Sequence, residues 1–245
     1  MGLLVMAATQ ASAQITNAYD TASNPVYDGD FEGINGGFGF GGSWTLNTPG
    51  GGHYANGGFF GLWNNGYGTN TGSYANRLFG SSLSVGQAFS TSFQNGHLNS
   101  SLEQGGFNLE DSSGNILFSF WQQGGNNADG NYADANGAGT ATGFAYDFGA
   151  TDTYAFSLDS ATSYTFTDLA TSASFTGTLA GTIDQVQFFR QNLADDPATG
   201  GGGGTDFRIA DLGITSVPEP STLALVGLGG AGIVFSFIRR RKVCA

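Results

Sequence analysis

From about residue 83 to residue 214, apolar side chains recur at every second position, as expected of strands that bury one face. Phe107-Asn-Leu109-Glu and Ile116-Leu-Phe118-Ser-Phe120 flank Asp111-Ser-Ser-Gly114-Asn, which predicts a hairpin closed by a glycine-containing turn. Phe144-Ala-Tyr146-Asp-Phe148, Tyr154-Ala-Phe156-Ser-Leu158 and Tyr164-Thr-Phe166 alternate strictly, and further strands are expected over 174–179, 183–190 and 207–214. Asp159-Ser160, Ala180-Gly181 and the run from Asp195-Asp196-Pro197 to Gly204 supply the turns between them. Before residue 217 no stretch of useful length has a helical period.

Residues 33–76 have a different texture, dense in Gly, Asn and aromatics: Phe38, Phe40, Trp44, Tyr54, Phe59, Phe60, Trp63, Tyr67 and Tyr74. The aromatics are interleaved with Leu46 and Leu62, as a packed face requires, so strands joined by glycine-rich loops are expected rather than a low-complexity arm. Many short strands with a turn about every 8 to 15 residues predict an all-β fold, an antiparallel β-sandwich or jelly roll spanning residues 14–216. The order of segments loosely resembles concanavalin-like jelly rolls, including a last strand that pairs back near the start. No fixed-period repeat suggests a propeller or solenoid.

Composition narrows the partners. The chain has 245 residues; 42 are Gly with no period of three, which excludes collagen, and 13% are aromatic, which argues against disorder. Before residue 239 only Arg77, Arg190 and Arg208 oppose all 19 acidic residues, a net −16. Such a polyanion repels nucleic acid and anionic membrane surfaces alike. Glycans, metal ions and other proteins remain as partners.

Both ends read as targeting sequence. The apolar run 3–8 followed by Ala11-Ser12-Ala13 predicts the tail of a secretory signal peptide over 1–13, without the usual basic start. At the other end Val217-Pro218-Glu219-Pro220-Ser221 precedes an apolar run over 223–238 and then Arg239, Arg240, Arg241 and Lys242. A helix over that run rises about 24 Å, somewhat short of a full bilayer span, and the basic cluster would stay cytoplasmic. Over 217–245 the chain resembles the PEP-CTERM sorting signal of bacterial exported proteins, with motif, transmembrane helix and basic tail in order. The resemblance implies passage through the export machinery, transient anchoring in the inner membrane, and cleavage near Pro218-Glu219-Pro220 by an exosortase-type protease. Release to the cell surface or extracellular matrix would follow. Cys244 lies in the segment that would be lost, leaving a mature domain without a disulfide.

No catalytic motif is found. His53 and His97 lie outside any zinc-protease pattern, and no nucleophile elbow or P-loop occurs. A glycosidase needs two flanking carboxylates, but the Glu-x-Asp-x-x-Glu motif is absent and Glu110-Asp111 would point to opposite faces of a strand. Trp44, Trp63, Tyr67 and Trp121 are candidates for stacking on sugar rings, with Asn64, Asn65, Gln122 and Gln123 near them for hydroxyls; burial in the core explains the same aromatics. Asp129, Asn131, Asp134 and Asn136 form the richest oxygen cluster, readable as a structural calcium loop over 126–137 or as turn chemistry, and no other cofactor is indicated. The expectation is a non-enzymatic exported sandwich that binds polysaccharide. Its alternatives are a structural matrix protein without a ligand and a jelly-roll glycosidase.

Overall fold

The computed structural model describes residues 14–64, 71–98, 102–124, 129–192 and 206–216. The expected signal peptide, Tyr67, Asn65 and the whole sorting segment from Val217 lie outside the described residues. Residues Thr16–Thr215 form one compact unit. Among the described residues there is no helix, and none therefore long and apolar enough to cross a membrane.

The strands in chain order are β1 (Ile15–Thr21), β2 (Thr45–Asn47), β3 (Gly51–Asn56), β4 (Phe59–Asn64) and β5 (Thr71–Leu78). The chain continues with β6 (Gln87–Asn95), β7 (Glu103–Glu110), β8 (Ile116–Gln123), β9 (Asp129–Asp134) and β10 (Gly137–Ala145). It ends with β11 (Asp152–Ser160), β12 (Ser163–Asp168), β13 (Ser174–Thr178), β14 (Gln185–Asn192) and β15 (Phe207–Ser216). They form two sheets. One runs β13-β12-β11-β6-β15-β4-β3, with β1 added on β15; the other runs β10-β9-β8-β7-β14-β5-β2.

The predicted hairpin is present as β7–β8, with Asp111 accepting from the backbone N–H of Ser113 and Asn115 and so fixing the turn. The glycine-rich stretch does fold into strands, β2 to β5. The expected strand through Phe148 stops at Ala145; Phe148 instead stacks on His97 at 3.7 Å between centroids. The last strand pairs with the first, as the resemblance implied.

Alternation fills the space between the sheets with Phe60, Phe89, Phe93, Phe107, Phe118, Phe120, Phe156, Phe166 and Phe188. At one side this core encloses a charge. Arg77 pairs with Asp20 at 3.0 Å with both side chains wholly buried, and Asp20 also accepts from Tyr27 and from Trp44 Nε1. The guanidinium lies over Phe40 and Trp44, 5.0 and 5.5 Å from the ring centroids. Because its terminal nitrogens reach Gly42 O, Asn35 Oδ1 and the charged Asp20, the arginine is tolerated where a lone cation would not be, although its Nε has no hydrogen-bond partner among the described residues.

Candidate functional site

In the seven-stranded sheet Phe107, Leu109, Phe118, Phe120, Ala75, Val186 and Phe188 belong to the core, so their neighbours along each strand face away from it. Register then aligns those neighbours in rows across the sheet. One row runs Asn131, Trp121, Gly106, Phe189, Tyr74, Asn47. Phe189 is only 4% exposed yet stands outside the core cluster, and Trp121 and Tyr74 on either side are half-buried. The next row runs Ser119, Asn108, Gln187, Asn76, and these side chains hydrogen-bond in sequence. Ser119 Oγ donates to Asn108 at 2.7 Å, Asn108 Nδ2 to Gln187 at 3.1 Å, and Gln187 Nε2 to Asn76 at 3.0 Å.

On the other side of the aromatic row lie Gln123, Gln104 and Gln191. Gln191 donates to the Tyr74 hydroxyl at 2.8 Å, and Trp121 Nε1 approaches Gln123 Oε1 at 3.4 Å. Each amide has two N–H groups and two acceptor lone pairs, so hydrogen-bonding within the rows orients these side chains without exhausting them. The face thus offers the half-buried rings of Trp121 and Tyr74, flanked by oriented amides. Beyond the amide row, Glu110 accepts from Gln185 Nε2 at 2.8 Å and is 3% exposed. Burial pushes its carboxyl up to about 7; the Gln185 hydrogen bond opposes this and the neighbouring Asp111 charge adds to it.

The four aromatics singled out in the sequence do not form one surface. Trp121 belongs to this face. Trp44 is a correction: it is wholly buried, edge-on to Phe31 at 5.3 Å and bonded to Asp20, so no ligand reaches its ring. Trp63 lies on β4 in the opposite sheet. Of the amides, Gln123 joins the face. Gln122 points inward and donates to the Tyr154 hydroxyl, while Asn64 donates to the Thr71 carbonyl.

The 126–137 stretch is corrected as well. It is not a loop over its length but contains strand β9 and the turn into β10. On a strand Asn131 and Asp134 fall on opposite faces, Asn131 beside Trp121 and Asp134 inward. The Asp134 carboxylate accepts from the Tyr164 hydroxyl, from Thr178 N and from Asn136 N, tying β9 to β13 of the facing sheet. Asn131 and Asp134 are therefore not brought together, and the described residues contain no group of three or more His, Cys, Asp or Glu placed to hold a metal.

Sequence reasoning missed Tyr74, Asn76, Asn108, Gln187 and Phe189. Their signal was available: the outward positions of β5, β7 and β14 carry amides and aromatics where a solvated face would carry Lys, Glu or Thr.

Residues 216–242 match the family described as PEP-CTERM protein-sorting motif. The chain carries this sorting signal, which marks it for export. No curated protein matches the chain. Among solved structures it is similar to an uncharacterized protein from Mycobacterium paratuberculosis, at 13% identity and a TM-score of 0.53 over 80% of this chain and 98% of that one. It is also similar to a glycosyl hydrolase family protein from Mycobacterium fortuitum, at 14% identity and a TM-score of 0.49 over 70% of this chain and 90% of that one. A third similar structure is the CBM2 module of an evolved Dit of Lactobacillus casei BL23 phage J-1, at 14% identity and a TM-score of 0.48 over 83% and 98%. The first of these shows a shared fold.

Proposed function

We propose that the exported domain is a non-enzymatic polysaccharide-binding module of the cell surface or extracellular matrix, released there by an exosortase-type protease. The observation that carries the reading is the pair of half-buried rings Trp121 and Tyr74, with buried Phe189 between them, lying between two rows of amides on the face turned away from the core. Aromatic faces pack on the C–H surfaces of sugars, while neighbouring amides exchange hydrogen bonds with ring hydroxyls. A net charge of −16 before the basic tail favours a neutral glycan over an acidic one.

A glycan array probed with wild type and with Trp121→Ala tests this. Binding to neutral glycans that Trp121→Ala weakens supports the face; absence of any glycan signal favours a structural matrix protein. Glu110 favours a second reading, because a carboxyl held protonated near neutral pH is what a glycosidase needs as general acid. Release of reducing ends from bound glycan, abolished in Glu110→Gln, would establish that reading instead.

A further inference from the structure

The outer face of the eight-stranded sheet holds a second aromatic platform. Along β4, Phe60 and Leu62 enter the core, so Gly61 and Trp63 face outward; along β3, Ala55 enters the core, so Gly52 and Tyr54 face outward. Gly52 pairs with Trp63 and Gly61 with Tyr54. A Cβ on Gly52 would stand 2.5 Å from Trp63 Cζ2 and 2.7 Å from Cε2, and one on Gly61 would collide with the Tyr54 ring. Each ring therefore lies flat across the glycine of the neighbouring strand, one face down on the sheet and the other outward.

Beside them stands a donor–acceptor pair. Arg208 on β15 pairs with Gly61 and so continues the Tyr54 row. Its Nε donates to the Tyr54 hydroxyl at 3.2 Å, one terminal nitrogen to Gln94 at 3.3 Å, and the other lies 3.9 Å from Asp206. Asp206 in turn accepts from Tyr54 at 2.8 Å. Arg77 and Arg190 are buried in ion pairs, whereas the Arg208 side chain is 37% exposed. The guanidinium has five N–H groups, so donors remain for a ligand. With Asp206 alongside, the pair carries no net charge, and it offers donor and acceptor within the reach of adjacent hydroxyls on one sugar ring.

We propose that Trp63, Tyr54, Arg208 and Asp206 form a second, independent site for a neutral saccharide, on the sheet opposite the first. The site stands on its own geometry. Its consequence, that one chain bridges two glycan strands, rests also on the face proposed above. Two sites on opposite sheets cannot grip the same segment of polymer, so occupancy of both links separate segments and gains avidity.

The test is affinity electrophoresis of the full chain, in a zwitterionic detergent without a sugar headgroup, through gels containing laminarin, galactomannan or hydroxyethyl cellulose. Light scattering of protein–polysaccharide mixtures reports bridging. Trp63→Ala and Arg208→Gln are each expected to weaken retardation about tenfold, as is Trp121→Ala, with unchanged melting. Each single variant should lose the scattering increase, and Trp63→Ala/Trp121→Ala should lose retardation altogether. If Trp63→Ala and Arg208→Gln both run as wild type, or Trp121→Ala alone abolishes retardation, the second site is overturned and the first stands. Loss with Trp63→Ala and none with Trp121→Ala keeps the second site and overturns both the first face and the bridging. Failure of all three polysaccharides to retard wild type overturns both sites.

Discussion

Trp44 and Trp121 show how one residue type takes two roles through its neighbours. Trp44 has its indole N–H on a buried carboxylate and its ring among Phe31, Phe60 and Phe188. Trp44→Ala is expected to cost about 3–5 kcal/mol and lower the melting temperature markedly. Trp121→Ala should leave the melt nearly unchanged and weaken glycan binding about tenfold. Equal destabilisation by both substitutions would show that Trp121 is core. Glu110 makes a separate prediction. Its carboxyl is raised from an ordinary 4.5 to about 7, so the native state holds a proton that the unfolded chain releases. Below about pH 4.5 the group is protonated in both states and contributes nothing; as pH climbs to about 7 stability falls, and above that the penalty is complete. Glu110→Gln should therefore match wild type near pH 4 and gain up to about 3 kcal/mol by pH 8. Paired melts across that range check the sign, and a constant difference would place the titration elsewhere.

Elements were legible where alternation was clean and hidden where chemistry mimicked something else. The β7–β8 hairpin and strands β11 and β12 follow directly from Phe, Tyr and Leu at every second position. β9 was not legible, because Asp129-Gly-Asn131-Tyr-Ala-Asp134 has the composition of a loop. Pairing with β8 on one side and β10 on the other makes it a strand regardless. β1 carries one strongly apolar residue and a buried Asp, so its place rests on the distant Arg77 and β15, which no local pattern reveals. The same limit hid the aromatic row: Trp121, Phe189 and Tyr74 are far apart in sequence and meet only through register. At β9 the test is Asp134→Ala. Removing the carboxylate leaves the fully buried Tyr164 hydroxyl without this acceptor, which is expected to cost about 1–3 kcal/mol. The loss should be equal in EDTA and in millimolar calcium. A calcium-dependent difference would restore the ion site.

For the whole molecule, the sorting signal at 216–242 follows the last strand directly. Intact-mass measurement on protein from the native host should find a species ending near residue 220. Only full-length protein, still integral to the membrane, would overturn processing. That last strand, β15, is not an edge. It lies between β6 and β4, and its later half also receives β1. Residues 15–95 supply every one of those neighbours, yet until residue 207 has emerged the eight-stranded sheet has a gap at its centre. On the export route proposed above, a chain threaded outward from its N-terminus is expected to leave this sheet open while most of it is already across. Closure and the arrival of the sorting signal become nearly one event. A chain ending at residue 205 is expected to be unfolded and protease-sensitive, and one ending at residue 216 folded, so the last stretch translocated decides whether anything before it takes shape.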